Sequence, residues 1–321
     1  MSDLNQESGP MEARKRRFAE LASRVPHTLA RDLFLDHPID AKAFEALQWH
    51  VRMYISACLM TGGKILSSDE ILERLSADDV DLPNKTPNGL LMPKAEVALE
   101  FTTLHKCFAQ IMTRLRIENI TDSWSLPINV RIVLGKADAA ILNRPFAASK
   151  IHSDVWAGEP ADAVILNIPV LGDIARTSLE WLELPPQVGE SHLKLFRDFS
   201  EAEFFARQAT RIDVAPKLGH IYFSDCALLH RTVRANGGCR VSIDLRFRLK
   251  SDASYKTKVE ELSGPSRLSN YITFEQWRSI GERTVMVVDE TMAECRNRYR
   301  SPQPGYGVGA PYRLVDLGLG T

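Results

Sequence analysis

The sequence predicts an α+β protein, an antiparallel sheet core with helices before and after it. Three observations carry this prediction. Apolar residues recur at helical spacing through roughly the first hundred positions, the period changes to two from residue 127, and the strands that follow are joined by turns rather than by regular helical crossovers. Residues 1–126 therefore read as a helical region packing on the core, 127–250 as the core, and 251–321 as a helical extension with a loose tail, all integrated into one domain.

Taken in order, the N-terminal segment begins polar and carries the cluster Arg14, Lys15, Arg16 and Arg17, read as the solvated face of a first helix. Phe44, Leu47, Val51, Tyr54, Ile55, Cys58 and Leu59 form one apolar stripe; Val97, Phe101, Leu104, Phe108, Ile111, Met112 and Leu115 form a second. Between them Pro83, Asn84, Pro87, Asn88 and Gly89 break the pattern and predict a loop, a candidate flank of a binding site. Residues 128–134, 163–170, 179–184, 220–223 and 239–249 predict strands, with a helical interruption near 192–206. Beyond Lys250, Thr273 to Gln276 has the spacing of a capping box, while Pro302, Pro304, Gly305, Gly307, Gly309 and Pro311 predict the loose tail.

Composition narrows the function. With 44% hydrophobic and 25% charged residues, the chain can bury a core and is neither disordered nor fibrous. A formal net charge of -1 lacks the basic field that nucleic acid or anionic lipid requires. The five cysteines are scattered without a Cys-x-x-Cys pair, which speaks against a disulfide framework or zinc knuckle and fits reduced thiols. No stretch resembles a signal peptide or approaches the ~20 apolar residues of a membrane span, so a cytoplasmic protein is expected. Gly62-Gly63-Lys64 lacks phosphate-loop spacing, and Gly307-Val308-Gly309 precedes no helix.

His152-Ser153-Asp154 is the first candidate for chemistry, because residues two apart on an extended segment project from one face and can reach one metal ion. About one such pair is expected by chance in a chain of this acidity, so the pair alone says little. A later histidine, His230, is followed at +10 and +12 by Arg240 and Ser242. Two histidines and one carboxylate on one face of an octahedral ion leave three open positions, the arrangement of non-haem iron(II) oxygenases. Arg240 offers a planar fork for the remote carboxylate of an organic acid, and Ser242 adds a hydroxyl from the same face. On that strand Arg240, Ser242, Asp244 and Arg246 face one way and Val241, Ile243, Leu245 and Phe247 the other. If helices cover the apolar face, the polar face lines the interior.

These segments resemble the iron(II)/2-oxoglutarate-dependent oxygenases. The stretch from Ile151 to Pro160 with its His-Ser-Asp-Val-Trp block, residues 164–169 and 219–223, His230, and the Arg-Val-Ser-Ile-Asp block from Arg240 look like the subgroup encoded in carbohydrate and aminoglycoside biosynthetic clusters, including the streptomycin-cluster oxygenase. The resemblance covers about residues 127–250; one departure is Arg231-Thr232 after His230, where the subgroup has Gly-Asn. It implies a double-stranded β-helix (a cupin-like jelly roll), Fe(II) on His152, Asp154 and His230, and 2-oxoglutarate held by Arg240 and Ser242. It further implies O2-dependent oxidation of a small-molecule substrate, such as a sugar or aminocyclitol, with release of succinate and CO2. Hydroxylation is the default outcome; desaturation, epimerisation and ring closure would use the same residues, whereas halogenation is disfavoured because Asp154 keeps its carboxylate at the metal.

Other residues have two readings each. Arg131 contacts cosubstrate or substrate, or forms a structural salt bridge. Asn167 meets a 2-oxoglutarate carboxylate or the backbone near Pro169. Trp156 walls the substrate pocket or is core. Lys150, Phe146 and the loop 83–91 are candidate substrate contacts. His220 is a rival third ligand with no Arg-x-Ser behind it, and His50 and His105 are structural. Two alternatives stand beside an oxygenase: a cupin-type metal enzyme that needs no 2-oxoglutarate, and a non-enzymatic jelly-roll binding protein.

Overall fold

The computed structural model describes residues 10–77, 80, 82–136, 139–253, 255–257, 261, 268–295 and 312–318. Four helices fall within residues 10–114, interleaved with short strands: α1 (Pro10–Arg24), α2 (Ala41–Cys58), α3 (Ser68–Ser76) and α4 (Ala98–Arg114). Two of their starts follow from local capping chemistry. The Asp40 side chain accepts from the Ala43 N–H at the head of α2, and Ser67 and Glu70 close a reciprocal capping box on α3. The predicted box at Thr273 and Gln276 likewise opens the helix Phe274–Ser279.

The strands are β1 (Leu29–Arg31), β2 (Phe34–Pro38), β3 (Leu90–Leu91), β4 (Thr121–Ser125), β5 (Asn129–Leu134), β6 (Ala163–Gly172), β7 (Thr177–Glu183), β8 (Thr210–Arg211), β9 (His220–Asp225), β10 (Leu229–Arg234), β11 (Cys239–Leu249), β12 (Tyr271–Ile272), β13 (Thr284–Val288) and β14 (Tyr312–Asp316). All the pairings between these strands are antiparallel. A nine-stranded sheet runs β1-β2-β9-β6-β11-β4-β12, with β5 also on β11 and β3 on β5. A second sheet runs β10-β7-β8, and β13 pairs β14. β11 is the pivot: one edge pairs with β6, the other with β5 and then β4.

The two faces of β11 divide the molecule. Val241, Ile243, Leu245 and Phe247 are fully buried in the main core, with α3 packed against this strand. Arg240, Asp244 and Arg246 look the other way, into a pocket that β7 and β10 close from the opposite side. Trp181 of β7 packs on Phe34 and Tyr222 of the larger sheet, fixing the spacing between the sheets at one end. The β6–β11 register shifts between Val241 and Ser242, where Ser242 pairs with Pro169; Pro169 has no N–H to give the ladder, and a bulge absorbs the extra residue.

Three expectations need correction. The N-terminal region is not all helix, since β1 and β2 lie within it and extend the larger sheet through β9. The basic cluster does not lie wholly on a solvated face: Arg14 is 1% exposed and pairs with Glu190 and Asp225. Part of the supposed tail, Tyr312–Asp316, is a strand paired with β13, whereas the Pro/Gly-rich stretch 302–311 lies outside the described residues. The five cysteines are buried, with no disulfide among the described residues. No helix among them is long and apolar enough to cross a membrane.

Candidate metal centre and its pocket

His152 and His230 are brought together by backbone pairing. The His152 N–H donates to the His230 carbonyl at 2.9 Å and the His230 N–H to the His152 carbonyl at 2.8 Å, an antiparallel bridge that sets both imidazoles on one face. Asp154 opens a single turn of 3₁₀ helix (Asp154–Ala157) capped by Ser153. The Ser153 hydroxyl is buried, accepts from the Val155 N–H and donates to the Cys226 carbonyl at 2.7 Å, so the middle residue of His-Ser-Asp fastens the turn to the β9–β10 connection. Gly158 ends the turn at φ 98°, a conformation that costs glycine least.

The donor atoms converge. His152 Nε2 lies 3.8 Å and His230 Nε2 3.6 Å from the same oxygen, Asp154 Oδ1. One ligand atom from each of the three residues lies within 4.8 Å of the other two. His152 Nδ1 is 2.7 Å from the Lys150 carbonyl, an acceptor only, so Nδ1 carries the proton and the Nε2 lone pair faces Asp154. The ring of Phe199 stacks on His152, centroids 4.2 Å apart.

The electrostatics suit a cation. Burial, with His230 adding to it, pushes the His152 imidazole down to about 3, and burial also lowers His230, so both stay neutral and able to ligate. Burial alone would raise the Asp154 carboxyl; Arg246, followed by the two imidazoles, reverses this and holds it well below the usual carboxylate range. Arg246 reaches Asp154 Oδ2 through Nη2 at 2.6 Å and Nε at 2.9 Å, and Asp244 Oδ1 through Nη1 at 3.1 Å.

Beyond the donors the pocket holds a buried guanidinium with unpartnered nitrogens. Arg240 is 1% exposed, donates one long bond (3.5 Å) to the Thr177 carbonyl, and leaves Nε and Nη2 without partners. Burial, then Arg131 and Arg234, lower its pKa to about 9, as for a guanidinium that lacks a counter-ion. The Ser242 hydroxyl on the same face is fully buried and unpartnered, as is the Asn167 amide oxygen on β6. Such orphaned groups are costly unless a ligand meets them.

The remaining sequence candidates divide. Arg131 and Phe146 line the pocket; Arg131 gives Nε to Asp244 at 2.8 Å and Nη1 to the Asn88 carbonyl, so it forms the salt bridge and also reaches the cavity. Asn88 places the predicted loop at the pocket wall. Trp156 is instead core, 0% exposed with Nε1 donating to the His192 carbonyl, and it does not line the cavity. Lys150 is held by Asp198 and Ser200. His220 pairs with Asp36 at 2.6 Å and is no third donor; His105 is buried against Trp277, a structural position as expected. Sequence reasoning missed Phe199, which no pattern signals, and gave Arg246 no role, although it continues the period-two face of Arg240 and Ser242.

The fold and the donor set define a buried two-histidine, one-carboxylate centre between two antiparallel sheets. Neither a protein-family model nor a curated protein matches this sequence. Among solved structures the chain is similar to the non-heme alpha ketoglutarate dependent carbocyclase SnoK from nogalamycin biosynthesis, with TM-score 0.42 and 11% identity over 91% of this chain and 99% of that one. It is also similar to AviO1 from Streptomyces viridochromogenes Tue57, with TM-score 0.40 and 17% identity over 77% and 96%. A third is an N-substituted L-amino acid dioxygenase from Burkholderia ambifaria AMMD, with TM-score 0.36 and 12% identity over 74% and 91%.

Proposed function

We propose that this protein is an Fe(II)- and 2-oxoglutarate-dependent oxygenase that hydroxylates a small polar molecule. The observation that carries the reading is the convergence of His152 Nε2, His230 Nε2 and Asp154 Oδ1 in the same pocket as a buried Arg240 whose Nε and Nη2 lack partners. The donor set fits iron(II): two neutral imidazoles and one carboxylate suit a borderline cation and leave positions for other ligands. Two antiparallel sheets closing on one pocket support reading the core as a double-stranded β-helix.

His152, Asp154 and His230 would hold the metal, and Arg240 with Ser242 the remote carboxylate of 2-oxoglutarate. Bound together, iron and 2-oxoglutarate supply the oxidising equivalent from O2, with succinate and CO2 released. The chain's own part is orientation and exclusion of water. Arg240 would orient the dicarboxylate by holding its remote carboxylate, and Phe199 shields His152 on one side. Arg131 and Asn167 stand beside the cosubstrate path and Phe146 at the substrate wall. The resemblance to the carbohydrate and aminoglycoside subgroup supports a sugar or aminocyclitol as prime substrate, and the scattered cysteines support a cytoplasmic setting.

Anaerobic addition of Fe(II) and 2-oxoglutarate tests the reading. A visible charge-transfer band, absent in Asp154→Ala, followed by oxygen uptake and succinate release, is expected. No band with the wild-type protein, or an undiminished one in Asp154→Ala, would overturn it.

A further inference from the structure

We infer that Arg246 is a positioning residue for the metal centre: its bidentate grip on Asp154 Oδ2 commits that oxygen to the protein and presents Oδ1 alone to the ion. This rests on the functional reading above and adds a determinant of ligand geometry to it. Both Arg246–Oδ2 bonds, at 2.6 and 2.9 Å, come from the adjacent Nη2 and Nε of one planar guanidinium. Both imidazole Nε2 atoms meanwhile face Oδ1, at 3.6 and 3.8 Å. The two oxygens of one carboxylate are thus assigned different tasks by the chain itself.

Chemistry makes the division consequential. A carboxylate can bind a metal through one oxygen or both, and a two-oxygen grip would occupy one of the positions that a chelating cosubstrate and O2 need. Arg246 opposes that grip by satisfying Oδ2 with charge-assisted hydrogen bonds. The guanidinium is itself fixed: its Nη1 donates to Asp244 Oδ1, and Asp244 also receives Asn129 Nδ2 at 3.0 Å and Arg131 Nε at 2.8 Å. Arg240, Ser242, Asp244 and Arg246 alternate along one strand, so a single rigid element carries the anion clamp at one end and the carboxylate lock at the other.

Co(II) binding to the full-length protein tests this without turnover. Titrations of wild type, Arg246→Gln and Arg246→Lys would follow Co(II) affinity and ligand-field absorption. The expected result is a 10- to 100-fold loss of affinity in Arg246→Gln, the usual scale for partners that orient a ligand, with shifted ligand-field bands. Arg246→Lys, which keeps the charge but not the fork, should lose less affinity yet show the same band shift, and it decides the matter if the glutamine variant does not fold. Wild-type affinity and spectrum in either folded variant would overturn the inference while leaving the oxygenase reading intact. Failure of the wild-type protein itself to bind Co(II) would overturn both.

Discussion

His152 and His230 exchange both of their backbone hydrogen bonds, so the two imidazoles are held side by side by main chain rather than by an ion. β10, which carries His230, is in turn paired along six residues with β7. The centre is therefore preorganised. Chelator-treated protein should keep its far-UV circular dichroism and a cooperative melt, and added Fe(II) or Co(II) should raise the melting temperature through binding to the native state alone. At a hundredfold excess over Kd the gain is about 2.7 kcal/mol. Loss of sheet signal on chelation would show that metal builds the site instead.

Arg240 is the second test. In the free protein it is a buried cation with no carboxylate partner, so Arg240→Met should leave stability unchanged or raise it. The same change should weaken 2-oxoglutarate binding by about 2–5 kcal/mol, more than tenfold, with Co(II) affinity near wild type. Ser242→Ala, losing one hydroxyl, should cost about 1 kcal/mol. Isothermal titration with 2-oxoglutarate in the presence of Co(II) reads both losses of affinity, and unaltered affinity in Arg240→Met would remove the cosubstrate clamp from the proposal.

Arg14 ties α1 to Glu190 and to Asp225 at the end of β9. Its Nε meets Glu190 at 2.9 Å and its Nη1 meets Asp225 at 2.7 Å, all three side chains being buried. Arg14→Leu leaves two carboxylates without their cation, and urea unfolding should show a loss of about 3–5 kcal/mol. A change within ~0.5 kcal/mol, the usual figure for a solvated helix face, would mean that the helix does not dock this way.

The contrast between Arg14 and Arg240 shows what the chain discloses locally. The strands β5, β6 and β11 are legible because alternation, or a short apolar run rich in β-branched residues between turn residues, favours strand over helix at that length. The proposed ligands are legible only in combination, because His-x-Asp alone is expected by chance and gains meaning from a later His followed at +10 and +12 by Arg and Ser. Arg14 is not, because its partners lie 176 and 211 positions away and a basic run looks the same solvated or buried. β1 fails for another reason: Leu29, Ala30 and Arg31 are too few and too exposed to show a period, and only pairing with β2 makes them a strand. Arg246 stands between these cases, since its face is readable but its bond to Asp154 spans 92 positions.

His105 gives a pH dependence that is independent of the metal centre. The ring lies against Trp277, Nε2 donates to the Trp277 carbonyl at 2.9 Å, and Nδ1 has no partner in the core. Burial pushes this imidazole down to about 4 from an ordinary value of 6.5, so the native state favours the neutral ring. Between those two values the unfolded chain binds the proton and the folded chain does not. The contribution to stability is therefore complete above about pH 6.5 and is lost as the pH falls through 4, roughly 3 kcal/mol in all. His105→Gln keeps an N–H for the Trp277 carbonyl but cannot titrate. Urea unfolding at pH 7, 5.5 and 4.5 should show the wild type losing stability more steeply than this variant, the gap closing toward acid pH. Parallel loss in the two proteins would place the proton elsewhere, on carboxylates common to both.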